Sequence, residues 1–226
     1  GNRPRKLDAL PFNILELIRE DPDGLQLLEE YLGNPKWGGK EAKDSSSTPF
    51  TMKRSTNSSS SRGCPFDCEY CNRNAQSERN WGTRSAEHLA EELIFLKEKY
   101  DIDFHCYVDD NFAVRMGRIK DMVEVFRVHG IKIPWGTHTR LDEMAGIKLI
   151  RQPGQTTGTL ITEDPLRVKL MAEAGCKYVG AGPESASPQV LEAIGKGGHT
   201  LTNGLTQVRV SGKTYQFPVS MIEGIK

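Results

Sequence analysis

The chain has 226 residues, of which 27% are charged and 37% are hydrophobic, as in an ordinary globular protein. Its 30 basic and 30 acidic residues give a formal net charge of zero, which argues against a general nucleic-acid or membrane-surface binder. No apolar run approaches the roughly 18 residues that a membrane span requires. Three of the five cysteines fall within eight residues, unlike the dispersed set of a secreted disulfide framework. We therefore expect a cytoplasmic protein that binds neither membranes nor nucleic acids.

The first third of the chain predicts a peripheral helical segment followed by a linker. Leu10–Glu20 and Gly24–Leu32 each place apolar residues at helical spacing. Gly38–Ser61 has the composition of a flexible linker, although its Thr and Ser residues are also compatible with a strand. We expect residues 1–48 to form a helical connector and residues 49–226 to form the main domain.

From Arg62 onward, predicted strands and helices alternate. The helices are marked by apolar stripes, N-cap residues and terminal glycines; they are Ser85–Tyr100, Arg118–His129, a helix opened by Asp164-Pro165 and a helix opened by Ser187-Pro188. The strands are Phe104–Val108, Ile131–Gly136, Lys177–Gly182 and Phe217–Ile222. The region Ala145–Thr162 is interpreted as a loop. This alternation predicts an α/β fold with a parallel sheet and outer helices.

Polar clusters follow the predicted strands. They are Arg62-Gly63-Cys64, Asp109-Asp110-Asn111, Thr139-Arg140 and Glu184-Ser185. In parallel sheets and barrels the chemistry takes place at the carboxyl ends of the strands, so these clusters indicate a site on that face. Strand ends also lead into polar loops for purely structural reasons.

Cys64, Cys68 and Cys71 form the pattern C-x3-C-x2-C. A short loop can bring three thiolates onto one metal centre at little entropic cost. An electron-transfer 4Fe–4S centre uses four thiolates, so three with no fourth nearby would leave one iron open to a non-protein ligand. Three alternatives stay open: a zinc knuckle that includes His88, a disulfide within the triplet, and a chance cluster of buried cysteines.

The segment Ser61–Cys71, with Tyr70 just before the last cysteine, resembles the signature of the radical SAM superfamily. Further blocks recur in the same order in the subgroup whose members often carry a cobalamin-binding domain upstream. These blocks are Tyr107–Phe112, Trp135-Gly136 with Thr139-Arg140, Ala174-Gly175-Cys176 and Gly182–Ser185. The resemblance extends from about Thr51 to the C-terminus. It implies a partial (βα)6 barrel of the TIM-like type, whose first strand ends near Ser61.

The resemblance also implies a function. Cys64, Cys68 and Cys71 would hold a 4Fe–4S cluster that cleaves S-adenosylmethionine (SAM) reductively and so generates a 5′-deoxyadenosyl radical. It further implies methyl transfer as a reaction, cobalamin held by an upstream domain, and an electron donor such as flavodoxin or ferredoxin. The substrate, whether a small molecule or another compound, is not identified by the sequence.

Five residues are candidate SAM contacts. The resemblance implies that Tyr70 lines the adenine side and that Glu184 accepts hydrogen bonds from the ribose hydroxyls or the amino group. Asp109 and Asp110 would serve the methionine amine, and Arg140 would pair with the carboxylate. Each residue also has an ordinary structural explanation. Tyr70 could simply pack its ring beside the loop, and Glu184 could be a carboxylate favoured at a helix N-terminus. Asp109 and Asp110 could cap a turn, and Arg140 could form a surface salt bridge.

Two local features limit the motif assignments. Pro183 stands where many members of the superfamily have a small aliphatic residue, which puts the Glu184 contact in question. Gly195-Lys196-Gly197-Gly198 lacks the spacing of a phosphate-binding loop and follows a helix, so we interpret it as a helix C-cap turn. No residue is identified as a catalytic acid or base.

The predicted strands number five, one fewer than the superfamily barrel has. We therefore expect a core truncated near the fifth strand, either as an internal piece of a longer protein or as a split gene product that requires a partner. Leu7–Phe12 resembles the connector that follows a cobalamin-binding domain. Two other functions compete with that of a radical SAM enzyme that transfers a methyl group. One is a radical SAM methylthiotransferase or oxidoreductase without cobalamin, and the other is a non-catalytic zinc or iron–sulfur binding module.

Overall fold

The computed structural model describes residues 6–12, 14–34, 50, 52–66, 68–72, 80–144, 147–150, 159–162, 166–185, 187–196 and 205–218. The chain divides into two compact units. Unit 1 comprises Gly1–Arg62, Gly82–His138 and Leu170–Gly180; unit 2 comprises Gly63–Trp81, Thr139–Lys169 and Ala181–Lys226. The three clustered cysteines therefore belong to unit 2.

The described ranges contain seven α-helices and ten strands. The helices are α1 (Ile14–Arg19), α2 (Gly24–Gly33), α3 (Ala86–Tyr100), α4 (Met116–Val128), α5 (Leu141–Met144), α6 (Leu166–Glu173) and α7 (Pro188–Ala193). The strands are β1 (Ser55–Ser58), β2 (Ser61–Arg62), β3 (Gly82–Thr83), β4 (Phe104–Tyr107), β5 (Trp135–Thr139), β6 (Ile147–Ile150), β7 (Thr159–Thr162), β8 (Cys176–Ala181), β9 (Leu205–Val210) and β10 (Lys213–Pro218). Among these helices, none is both long enough and apolar enough to cross a bilayer.

The main sheet has the strand order β1-β4-β5-β8. β1 pairs with β4 and β4 pairs with β5, both in parallel. The helices α3, α4 and α6 lie between successive strands along the chain. The predicted α/β fold is thus confirmed, and four successive strand–helix units agree with a partial TIM-like barrel.

The core of unit 1 is rich in aromatic side chains. Tyr107, Phe112 and Trp135 are fully buried and contact one another with ring centroids 5.0 to 5.7 Å apart. Trp135 also donates from its indole nitrogen to the carbonyl of Ala174 at 2.6 Å. Buried rings of this size dominate core energetics, so they hold β4 and β5 in place.

Serine N-caps begin two helices as predicted. Ser85 accepts a hydrogen bond from the amide of His88 at the start of α3, and Ser187 accepts one from Val190 at the start of α7. The predicted N-cap at Asp164-Pro165 lies outside the described residues. At the N-terminus, the single helix predicted over Leu10–Glu20 is wrong at its start, because Leu10, which precedes Pro11, has extended backbone and α1 begins at Ile14.

Two strand predictions are wrong in position or partner. β5 begins at Trp135 and not at Ile131, because Pro134 precedes it and has no backbone N–H for the ladder. β10 is antiparallel to β9, so it is not the next strand of a parallel sheet. Ser211 and Gly212, with φ of 48° and 79°, form the two-residue turn that joins them. Residues 219–222 of the predicted strand lie outside the described part.

Two other segments differ from the linker and loop predictions. β6 and β7, in the region interpreted as a loop, pair in antiparallel fashion, while residues 151–158 lie outside the described ranges. The Ser-rich stretch contains β1, as the resemblance implied, and β1 ends at Ser58. β2 then pairs in antiparallel fashion with β3 and leads directly into the first cysteine.

Candidate active site around the cysteine loop

The cysteine loop, residues 63–71, follows β2. Gly63 has a φ of 86°, a conformation that glycine adopts without steric cost. The Cys71 amide donates to the Cys68 carbonyl at 3.1 Å, and the Glu69 amide donates to the Gly195 carbonyl at 3.2 Å. The loop is therefore turned on itself and tied to the segment that follows α7.

All five cysteines lie in the described part of the chain, and none forms a disulfide. Cys68 is buried, and Cys64 and Cys71 are half-buried. Burial raises the pKa of Cys106 and of Cys176 to about 12, so these two behave as structural thiols. Cys68 differs from these two, since the guanidinium of Arg140 lies beside its sulfur.

Within the described residues, no three His, Cys, Asp or Glu side chains are grouped to hold a single metal ion. A zinc ion requires its donors within about 2.3 Å of one point. Ligands of a 4Fe–4S cluster bind separate irons, so they need not converge in that way. Three reduced thiols on one loop are the donor type that such a cluster takes.

Arg140 lies against the cysteine loop. Its Nη1 donates to the Cys68 sulfur at 3.8 Å, and its guanidinium lies 3.8 Å from the centroid of the Phe66 ring. Its Nε and Nη2 donate to the two carboxylate oxygens of Asp142 at 2.9 and 3.1 Å. The predicted SAM-carboxylate partner is therefore a buried residue that contacts the Cys68 thiol. The surface salt bridge weighed for Arg140 does not describe it.

The charges around Arg140 keep it protonated. Burial lowers the pKa of the guanidinium, but Asp142, Cys68 and Glu143 outweigh it, and the pKa lies above its ordinary value. Glu143 is itself held by the Thr139 hydroxyl at 2.7 Å. The predicted Thr139-Arg140 block is thus buried, and its charged member Arg140 lies beside the Cys68 sulfur.

Tyr70, Glu184 and Lys196 form a second group in unit 2. Lys196 Nζ donates to Glu184 Oε1 at 3.0 Å and to the Gly182 carbonyl at 2.6 Å. The Tyr70 hydroxyl also hydrogen-bonds Glu184, and the Lys196 ammonium lies 5.8 Å from the Tyr70 ring centroid. The bond from Lys196, with a smaller contribution from Tyr70, lowers the pKa of Glu184. Glu184 is therefore held as a carboxylate.

The backbone around Glu184 is unusual. Glu184 has a φ of 60°, a left-handed conformation that is uncommon for a residue other than glycine. A Cβ at Gly182 would lie 2.8 Å from Glu184 Oε1, so a larger residue there would push the carboxylate from its present position. Pro183 between them restricts the chain further. The departure from the superfamily pattern thus coincides with a constrained, exposed carboxylate.

Asp109 lies in unit 1. Its Oδ1 accepts from the amides of Ser60 and Ser61 at 2.7 and 3.0 Å, and its Oδ2 accepts from both serine hydroxyls. Arg118 Nη2 lies 4.0 Å from Oδ2. These contacts tie the end of β4 to the residues that lead into the cysteine loop. Asp110 is exposed. The SAM-amine role of the two aspartates stays a prediction.

The sequence reasoning missed three residues of this site. Lys196 was assigned to a cap turn, and Asp142 and Phe66 received no role. The spacing of Arg140 and Asp142 could have indicated a local ion pair. No local pattern indicates Lys196, because its partner Glu184 lies twelve positions earlier and on another element.

Parts of the chain resemble known proteins. The model of the Radical SAM superfamily matches residues 58–203. An uncharacterized methyltransferase of Pyrococcus horikoshii is 34% identical over 137 residues, which are 61% of this chain and 26% of that protein. The cytidylyl-2-hydroxyethylphosphonate methyltransferase of Streptomyces wedmorensis is 28% identical over 138 residues, 59% of this chain and 22% of that protein.

A solved structure also matches. Apo OxsB, described as a cobalamin-dependent S-adenosylmethionine radical enzyme, superposes with a TM-score of 0.49 and 25% identity. The match covers 65% of this chain and 20% of OxsB. The chain thus spans about a quarter of the length of the curated relatives it matches.

Proposed function

Because the chain belongs to the radical SAM superfamily, we propose that Cys64, Cys68 and Cys71 hold a 4Fe–4S cluster with one iron open to SAM. The bound cluster would supply the electron that breaks the S–C5′ bond of SAM. The observation that carries this proposal is three reduced thiols on one loop, with a buried arginine at the central one.

The side chains of unit 2 would bind and orient the cofactor. Glu184, kept ionised by Lys196, would accept hydrogen bonds from the hydroxyls or the ammonium of SAM. Tyr70, with its ring half exposed, would line the adenine side. The short turn between Cys68 and Cys71 limits the positions that the thiolates can take. The protein's contribution is therefore positioning and local charge.

Methyl transfer is the reaction that we propose for the full-length protein. It is supported by two curated relatives that are named methyltransferases, each of which shares about a quarter of its length with this chain. The cobalamin requirement, the upstream domain and a flavodoxin or ferredoxin as electron donor rest on the resemblance of the sequence blocks.

Anaerobic reconstitution with iron and sulfide tests the proposal. We expect a brown protein with a cluster of four irons per chain, whose electron paramagnetic resonance (EPR) spectrum changes when SAM is added. Under reducing conditions SAM should yield 5′-deoxyadenosine. Replacing Cys64, Cys68 or Cys71 by alanine should abolish the cluster and the product.

Matched controls use the two structural thiols. Cys106→Ala and Cys176→Ala should keep the full iron content, because both thiols belong to unit 1 and burial raises the pKa of each to about 12. Wild-type protein that binds zinc in preference to iron would contradict the proposal. So would an iron spectrum that SAM leaves unchanged.

A further inference from the structure

We infer that Arg140 is a positioning residue for Cys68, and that its hydrogen bond to the sulfur raises the reduction potential of the cluster. The inference rests on the proposed function, since it assigns a role toward the same cluster. It differs from the SAM-carboxylate role that the sequence implied for Arg140. The two roles predict different measurements.

The guanidinium is held from several directions by residues of unit 2. The Asp142 carboxylate accepts hydrogen bonds from both Nε and Nη2, and the Phe66 ring covers one face of the guanidinium plane. Bidentate pairing and stacking leave a planar guanidinium little freedom to rotate. Nη1 is therefore fixed in its direction toward the Cys68 sulfur.

Burial increases the effect of this contact. Arg140 and Cys68 are each 8% exposed, so water screens little of their interaction. A charged donor withdraws negative charge from a ligand sulfur, which favours the more negative, reduced form of a cluster. Hydrogen bonds to the sulfurs and solvent exposure are the means by which proteins set iron–sulfur potentials.

The same geometry bears on the carboxylate role. Asp142 already takes the Nε and Nη2 edge of the guanidinium and the Cys68 sulfur accepts from Nη1, so a carboxylate of SAM would compete with these two partners for N–H groups. Asp142 is buried with Arg140, so exchanging the partners would leave a buried carboxylate without its cation. The contacts present thus favour an arginine that serves the protein's own thiolate.

The test compares reduction potentials in the absence of SAM. EPR-monitored redox titrations of reconstituted wild type, Arg140→Gln and Arg140→Lys would be run side by side. Arg127→Gln is the matched control, since it removes an exposed arginine on α4 that pairs with Glu124. We expect a shift to more negative potential in Arg140→Gln, a smaller shift in Arg140→Lys and none in the control.

Several results would decide the matter. Unchanged SAM-free potentials with a weaker SAM affinity would overturn the inference and assign Arg140 to the carboxylate. If Arg140→Gln does not fold, as judged by circular dichroism, Arg140→Lys carries the test, because it keeps the charge but not the fork. Iron loss from a variant with wild-type melting would support the positioning role. Failure of the wild type to hold a cluster would instead contradict the proposed function.

Discussion

Two polar networks, one in each unit of the chain, differ in how far their members are exposed. In unit 1 one network is buried: Arg84 Nη1 donates to Glu92 at 2.8 Å, and Asp109 accepts four hydrogen bonds from two serines. In unit 2 Glu184 and Tyr70 are exposed while their partner Lys196 is buried. Burying a polar group without a hydrogen-bond partner costs free energy, so we interpret the buried pairs of unit 1 as structural. The exposed ends of the unit 2 network are free to face a ligand.

The cysteines follow the same division. Cys106 is 1% exposed and packs with Phe50, Met52 and Phe104, and its thiol lacks a neighbouring cation in its apolar cluster. Cys68 is also buried, but Arg140 lies beside its sulfur. Burial alone therefore does not separate Cys68 from Cys106. The guanidinium beside its sulfur is the feature that distinguishes Cys68 from Cys106.

The largest expected effect concerns the buried ion pair of unit 1. Glu92→Ala leaves the Arg84 guanidinium buried without its partner and removes the acceptor of the Ser58 hydroxyl. We expect the free energy of unfolding to fall by about 3–5 kcal/mol, measured by urea denaturation. Glu124→Ala, which breaks an exposed pair on α4, is the control and should change little. A small loss in Glu92→Ala would contradict the scaffold role.

The fold was largely predictable because its signals are local. The apolar stripe of α3 and the serine caps of α3 and α7 lie within a few residues of the elements they define. The β9–β10 hairpin was not recognised, because Ser211-Gly212 is a weaker turn signal than Asn-Gly. Pro134 carried a readable signal, since it marks the start of β5.

The site was predictable only where chemistry fixes the spacing. Cys64, Cys68 and Cys71 stand out because a cluster requires thiolates close along the chain. Asp109 and Arg140 were recognised as polar residues at strand ends, but their partners depend on the folded chain. The pairing of Lys196 with Glu184 joins two separate segments, so no spacing pattern in the sequence indicates it.

The next largest effect is a pH dependence that arises in unit 1. His105 is fully buried, with Thr56 Oγ1 2.8 Å from Nδ1 and Ser58 Oγ 2.9 Å from Nε2, and burial lowers its pKa to about 3. Its unfolded pKa is about 6.5, so between pH 6.5 and 3 the unfolded chain binds a proton that the folded protein does not. The stability contributed above pH 6.5 is therefore lost as the pH falls, by roughly 1 kcal/mol per unit.

Chemical denaturation between pH 7 and 4.5 measures this slope. His105→Asn should flatten it by about that amount relative to wild type, whatever its effect on stability at pH 7. His129→Asn removes an exposed imidazole and is the matched control. Equal slopes in His105→Asn and wild type would mean that His105 is not buried as a neutral ring.

A smaller effect is expected in unit 2. Lys196→Met removes the ammonium that holds Glu184, so the carboxylate is freer to turn away from a bound cofactor. We expect SAM affinity to fall by about tenfold, equal to roughly 1.4 kcal/mol, as measured by equilibrium dialysis with the reconstituted protein. Lys196→Arg should recover part of the loss. Unchanged affinity in Lys196→Met would remove Lys196 from the site.

The smallest effect compares one helix cap from each unit. Ser85→Ala removes the hydrogen bond to His88 at the start of α3, a 15-residue helix in the core of unit 1, and should cost about 1 kcal/mol. Ser187 accepts from Val190 at 3.4 Å, a longer bond on the six-residue α7, so Ser187→Ala should cost less. Amide hydrogen exchange distinguishes the two effects. Exchange should accelerate in α3 for Ser85→Ala and in α7 for Ser187→Ala. Because the Glu69 amide is bonded to Gly195 just after α7, faster exchange at Glu69 in Ser187→Ala would show that this cap also steadies the cysteine loop.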